Sequence, residues 1–260
     1  MGLYDVNSKT PIVAWIPSRD DAANGSTPLT ALVGSVTGAL TSMDPATDWV
    51  ADTGAGGVRR LDMDGTNDHI VSSAEVNVQQ AAMSIWVYLT GLPASAMQVC
   101  GFVNGLGSLI VEKTIVVTTA GKVYGYCFDS AIRTTSVTDP TTISINTWTL
   151  LGLTLDGTNA KAWINGVEVG SVACTTPDFS AVYTVPNLFI SGQSSVAQAG
   201  AFGAFRWDDF RLWSEALDSS DFAYLYNSGS GRGRQYSALS DFESGMFGGM
   251  SGAMTGGMAS

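Results

Sequence analysis

Three observations predict an all-β fold made of two packed antiparallel sheets. Apolar runs rich in Val, Ile, Trp, Tyr, Phe and Thr recur along most of the chain, several of them alternate with a period of two, and tight-turn dipeptides stand between them. In MSIWVYL the alternation puts Met83, Ile85, Val87 and Leu89 on one face of a strand, and in WTLLGLTLD it does the same for Leu151, Leu153 and Leu155. Asp156-Gly157 then turns the chain into AKAWI. Asn165-Gly166 follows, the dipeptide that most readily supplies the two positive φ angles of a tight hairpin.

Taken in order, residues 1–10 read as a short polar arm and Pro11 to Ile16 as the first strand. Between Pro17 and Gly57 the chain is rich in Asp, Gly, Ser, Thr and Pro, which predicts long loops with a little strand. The strand-like segments LDMDGTNDHI and MSIWVYL follow, then the double hairpin from Trp148 to Val169, then a closing strand in FRWDDFRLW. A short helix comes next: Asp218 stands where an N-cap belongs, and Asp221 three residues on completes a capping-box pattern. Phe222, Leu225 and Tyr226 fall at helical spacing, and Asn227 and Gly229 end the helix.

Residues 230–260 form a Gly/Met-rich tail whose last sixteen residues repeat a four-residue unit, GMFG GMSG AMTG GMAS. Six glycines argue against autonomous helix, since each costs about 1 kcal/mol relative to Ala. A plain linker has no reason to keep Met in strict register. Helical or extended, the chain would align Met246, Met250, Met254 and Met258 as one apolar strip beside Phe247, so these five residues are expected to dock on a partner or a second copy.

The order of segments resembles the laminin G-like jelly roll of the concanavalin A-like superfamily. The resemblance is carried by Leu61, Met63, Asp64, Gly65, Asn67, Asp68, His69 and Ile70, by Ala82 to Val87 with Trp86 in the family's Trp position, and by the strand starting at Trp148. It continues through the Trp163 to Gly166 hairpin, the closing strand Phe202 to Trp213 and the helix Ala216 to Asn227. It implies a two-sheet antiparallel jelly-roll sandwich over about residues 11–229, with one short C-terminal helix.

Composition narrows the function. There are 12 basic and 23 acidic residues, a net charge of −11, and no Lys/Arg cluster beyond the pairs Arg59-Arg60 and Arg232-x-Arg234. Phosphate neutralisation needs a basic stripe, so nucleic acid is not expected as a partner. No run approaches the roughly 20 apolar residues of a membrane span, and none is expected to insert. Cys100, Cys127 and Cys174 show no metal-ligand spacing and lie in or beside apolar strands, where reduced buried thiols are expected.

The retaining glucanases that the resemblance brings in carry Glu and Asp in an E-x-D-x-E pattern. None of the five glutamates, at 75, 112, 168, 215 and 243, sits in such a pattern; the nearest approach is Asp62-x-Asp64 on one strand face. His69 is the sole histidine and no G-x-S-x-G elbow supports a triad, so no enzyme is expected. The resemblance also implies that a calcium ion can sit at the sandwich rim, for which Asp44, Asp52, Asp64, Asp68, Asp156 and Asp208 are candidates. No D-x-D-x-D-G loop orders them, and no cofactor is assigned.

Laminin G-like domains usually act outside cells, whereas the N-terminus shows no signal-peptide pattern, and Val6 stands where myristoylation needs Ser or Thr. A bacteriophage structural protein reconciles the two, being made in the host cytoplasm, assembled onto a virion and released by lysis. The expected function is therefore non-catalytic capsid decoration or an appendage role, with a homo-oligomer or other virion proteins as partners. The alternative is an adhesin or fibre domain that binds surface glycans. Six of the seven Trp fall in expected strands, which leaves Trp49, between Asp48 and Val50 in a polar loop, as the glycan-contact candidate.

Overall fold

The computed structural model describes residues 5–17, 28–44, 46–50, 60–76, 78, 80–104, 111–128, 132–134, 136–137, 141–175, 186–192 and 202–227. Outside these lie Asp52 and the docking candidates Met246, Phe247, Met250, Met254 and Met258.

Among the described residues the strands are β1 (Val13–Trp15), β2 (Gly38–Thr41), β3 (Trp49–Val50), β4 (Arg60–Asp64), β5 (His69–Ser72), β6 (Ala81–Tyr88), β7 (Met97–Asn104) and β8 (Val111–Val117). They continue as β9 (Val123–Phe128), β10 (Ile132–Thr134), β11 (Ser136–Val137), β12 (Trp148–Leu155), β13 (Asn159–Ile164), β14 (Val167–Ala173), β15 (Pro186–Ile190) and β16 (Ala204–Trp213). One sheet has nine strands in the order β11-β14-β13-β12-β6-β16-β4-β3, with β1 also paired to β16; the other has seven, β10-β9-β8-β7-β15-β5-β2. Every pairing is antiparallel, and the fold is the jelly-roll sandwich expected from the sequence.

The alternation that marks the strands also builds the core. Met83, Ile85, Val87, Leu151, Leu153 and Leu155 face inward from the nine-stranded sheet and meet Cys100, Phe102, Ile115, Val117, Leu188 and Ile190 from the other. Asn165 (φ 51°) and Gly166 (φ 85°) turn β13 into β14 with both angles positive, as the dipeptide requires.

The outer face of the nine-stranded sheet is partly covered. Helix α1 (Ser219–Tyr226) lies across it, its N-terminus closed by the full Asp218/Asp221 capping box and its C-terminus by Asn227 in the left-handed conformation. Phe222 stacks on Trp163 at 4.7 Å between centroids, and Tyr226 on Trp86 at 6.1 Å. Residues 5–10 of the expected arm belong to this layer: Val6 is fully buried with Trp86, Trp213 and Leu225, and Lys9 Nζ reaches Asp221 at 2.6 Å.

Two local features add detail to this architecture, and the first corrects an expectation. Cys127 and Cys174 are joined as a disulfide rather than reduced, tying β9 of one sheet to the end of β14 in the other; Cys100 alone remains a buried thiol. Strand β16 carries a bulge between Asp208 and Arg211, with Asp209 at φ 50°. The Asp209 carboxylate holds the buried Arg211 guanidinium in a two-point ion pair at 2.6 and 2.8 Å. On the side of β16 away from β6, the strand pairs with β4 before the bulge and with β1 after it.

Candidate functional site

Where α1 and residues 5–10 leave the outer face open, one row of side chains crosses four neighbouring strands. Asp62 on β4 is in register with Arg206 on β16, Arg206 with Tyr88 on β6, and Tyr88 with Trp148 on β12. Partners in register share a face, so the four side chains stand side by side. Arg206 Nε donates to Asp62 Oδ2 at 2.8 Å, the guanidinium lies over the Tyr88 ring at 5.4 Å, and the Tyr88 and Trp148 centroids are 5.6 Å apart. Both rings are half-buried, and the Asp62 and Arg206 side chains are 31% and 28% exposed. The row combines two aromatic surfaces with an acceptor and a donor. Among the described residues, Arg206 hydrogen-bonds only through Nε, which leaves its Nη donors for a ligand.

Two residues further along β4 and β6, and two back along β16, the same surface opens into a cleft of about 340 Å³ at the rim. It is lined by Asp64 and Gly65, by residues 90–95 between β6 and β7, and by Phe202 to Ala204. The volume lies at the small end of the range for ligand sites. Gly65 (φ 77°) is required twice: its turn needs a positive φ, and a Cβ there would come within 2.8 Å of the Ala204 backbone nitrogen. Leu92, half-exposed, gives the cleft an apolar lip, and Phe202 packs against His69 at 5.9 Å.

The Asp64 turn is built from two carboxyls that behave oppositely. Burial by itself would raise Asp64, but the hydrogen bonds it accepts from the backbone N–H groups of Thr66, Asn67 and Asp68 outweigh that and hold it below the usual carboxylate range. Asp68, 2% exposed, accepts the Asp64 N–H at 2.9 Å. Burial, reinforced by the charges of Asp64 and Asp48, pushes it up to about 6 against that hydrogen bond. Asp64 therefore presents a fixed negative charge to the cleft, with Asp68 staking the turn from behind.

Among the described residues the calcium candidates do not assemble a cage. Asp44, Asp64 and Asp156 each accept backbone N–H groups of their own turns, Asp68 and Asp208 are buried in different places, and Asp52 is not described. Among the described residues no three Asp, Glu, His or Cys side chains converge as a metal site. His69, which received no role from the sequence, places Nδ1 2.8 Å from the Asn67 carbonyl oxygen. Asp62 and Asp64 do share a face of β4, one bound to Arg206 and the other holding the turn.

Trp49 is not in a polar loop. It pairs with Leu61 in β3, packs half-buried against the core, and its Nε1 is enclosed. The aromatic surface of the row comes instead from Tyr88 and Trp148, which the sequence places in strands and, for Trp148, in the core. Tyr88 has the parity of Ala82, Ser84 and Trp86, opposite to the core residues Met83, Ile85 and Val87, so its outward direction was available in the alternation. Its alignment with Arg206 and Asp62 was not, because that depends on which strands become neighbours.

A family model described as the concanavalin A-like lectin/glucanases superfamily, of laminin G type, matches residues 64–223. No curated protein sequence matches the chain. Among solved structures the chain is similar to the Trypanosoma rangeli sialidase in complex with 2,3-difluorosialic acid, with a TM-score of 0.62 at 12% identity over 86% of this chain and 33% of that one. It is also similar to the botulinum neurotoxin serotype D binding domain, with a TM-score of 0.57 at 13% identity over 86% and 52%. The type G receptor binding domain gives 0.58 at 13% over 85% and 51%. The chain thus spans about half the length of the neurotoxin domains and a third of the sialidase, and at these identities the likeness is one of fold. Sheet topology, the Trp86 strand and the family match over residues 64–223 agree: the chain belongs to the laminin G-like family of the concanavalin A-like lectin/glucanases superfamily.

Proposed function

We propose that this domain binds carbohydrate without transforming it, through the Asp62-Arg206-Tyr88-Trp148 row and the adjoining rim cleft. The observation that carries the reading is the row itself. Pyranose rings offer an apolar C–H face and a girdle of hydroxyls, and the row offers aromatic surface beside a carboxylate acceptor and guanidinium donors. The lectin-like fold supports the same reading, as do neighbours described as a neurotoxin binding domain, a neurotoxin receptor binding domain and a sialidase in complex with 2,3-difluorosialic acid. The carboxylates of the site have structural partners, Arg206 for Asp62 and the turn for Asp64, which suits binding better than proton transfer.

The test is an immobilised oligosaccharide panel followed by titration of the best ligand. Trp148→Ala is expected to weaken binding at least tenfold, about 1.4 kcal/mol, while circular dichroism keeps the sandwich signature. Binding that survives both Trp148→Ala and Tyr88→Ala in folded protein would place the ligand elsewhere and sink the proposal. The particle-assembly reading rests on a different observation, the four-residue Met repeat of residues 245–260. Its own test is the solution mass of the full chain beside a version ending at Glu243; a defined oligomer that falls to monomer on truncation supports assembly through the tail. The two readings are compatible, since a decoration or fibre protein can also adhere.

A further inference from the structure

We infer that the row and cleft select a neutral saccharide and discriminate against one carrying a carboxylate. The inference rests on the carbohydrate reading and adds the ligand class to it. Of the charged side chains on the row and in the cleft lining, two are carboxylates, Asp62 and Asp64, and one is a guanidinium, Arg206. They are not independent charges. Arg206 is held at 2.8 Å by Asp62, so its charge is neutralised within the protein before any ligand arrives. Asp64, exposed two residues further along the same face of β4, is uncompensated by any side chain of the row or lining, and its turn keeps it ionised. The site therefore carries a net negative charge, inside a chain whose total is −11.

An uncharged sugar meets no penalty there. Its hydroxyls can donate to Asp62 and Asp64 and accept from the Arg206 Nη groups, while its C–H face lies on Tyr88 and Trp148. An acidic sugar would have to take Arg206 from Asp62 or lie beside the Asp64 carboxylate, and either arrangement leaves like charges close together. The guanidinium here supplies geometry and hydrogen-bond donors rather than a net attraction for anions.

The test uses matched pairs of immobilised oligosaccharides, each neutral glycan beside its sialylated or uronate counterpart, lactose and 3′-sialyllactose among them. The neutral member of a bound pair is expected to bind at least tenfold more tightly at low ionic strength. That gap should narrow at high salt and in Asp64→Asn, which keeps an oxygen to hold the turn. Equal or tighter binding of the acidic member overturns the inference and leaves the carbohydrate reading standing. A gap that neither salt nor Asp64→Asn changes overturns the charge argument, since shape alone would then discriminate. Failure to bind any member of the panel overturns both.

Discussion

Asp68 makes the stability of this fold depend on pH in the direction opposite to most carboxylates. Its folded pKa, raised to about 6 mainly by burial, exceeds the ordinary value of 3.8. Between these values the folded state holds a proton that the unfolded chain has lost, so the contribution of Asp68 is fully present below about pH 4 and disappears as the pH rises through 6. Roughly two units at 1.36 kcal/mol each set a ceiling of about 3 kcal/mol on the change. Asp68→Asn removes the titration while its side-chain oxygen can still accept the Asp64 N–H. Urea denaturation of both proteins from about pH 4 to pH 8 isolates the effect, because groups that do not interact with Asp68 titrate alike in each and cancel in the difference. The variant is expected to match or fall below the parent near pH 4 and to exceed it by about 1–3 kcal/mol above pH 7. Parallel profiles across the whole range would refute the argument, since Asp68 would then titrate alike in the folded and unfolded chains.

Two further predictions concern how the layers are tied. Gly152 is where α1 meets the sheet, and a Cβ there would overlap the Phe222 ring; Gly152→Ala should cost about 2–3 kcal/mol and shift Trp fluorescence as Phe222 leaves Trp163, whereas an unchanged melting curve would show that the helix is not seated this way. The Cys127–Cys174 bond closes a loop with a sequence separation of 47, for which chain entropy gives about 4 kcal/mol; Cys174→Ser and reduction of the parent should lower stability comparably, with reduction leaving the variant unchanged, and a parent indifferent to reductant would contradict the pairing.

What could be read in advance was local. The alternation in MSIWVYL separates core from outer face without reference to any other segment, Asn165-Gly166 fixes its own turn, and the Asp218/Asp221 capping box and Asn227 define the ends of α1 from within ten residues. What could not be read depends on which strands become neighbours. Cys127 and Cys174 face each other because β9 and β14 lie in opposed sheets at the same edge. Trp49 looked like a loop residue because a two-residue strand has no periodicity to display. The bulge at Asp209 was hidden for a similar reason: WDDFRLW continues the strand composition, while the left-handed backbone at Asp209 is stabilised by its ion pair with a buried Arg211.

The position of the proposed site follows from this packing as much as from its own residues. A jelly-roll sheet presents its whole outer face to solvent unless something covers it, and here the face carries more aromatic surface than can be left open: Trp86, Trp163 and Trp213 all point outward. The chain covers this surface with residues 5–10 and helix α1. Val6 and the apolar side of α1 bury those three rings, and Lys9 ties residues 5–10 to α1 through Asp221, whose other oxygen accepts from Asn7. The covering layer stops short of the next outward row, where Tyr88 and Trp148 stay half-exposed beside the partly exposed Arg206 and Asp62. The same helix that stabilises the sheet therefore sets the boundary of the surface available to a ligand. A variant that undocks α1 should enlarge the apolar surface and add nonspecific binding, leaving recognition by the Asp62-Arg206-Tyr88-Trp148 row intact, because none of those four side chains belongs to the cluster under the helix except Trp148 at its margin.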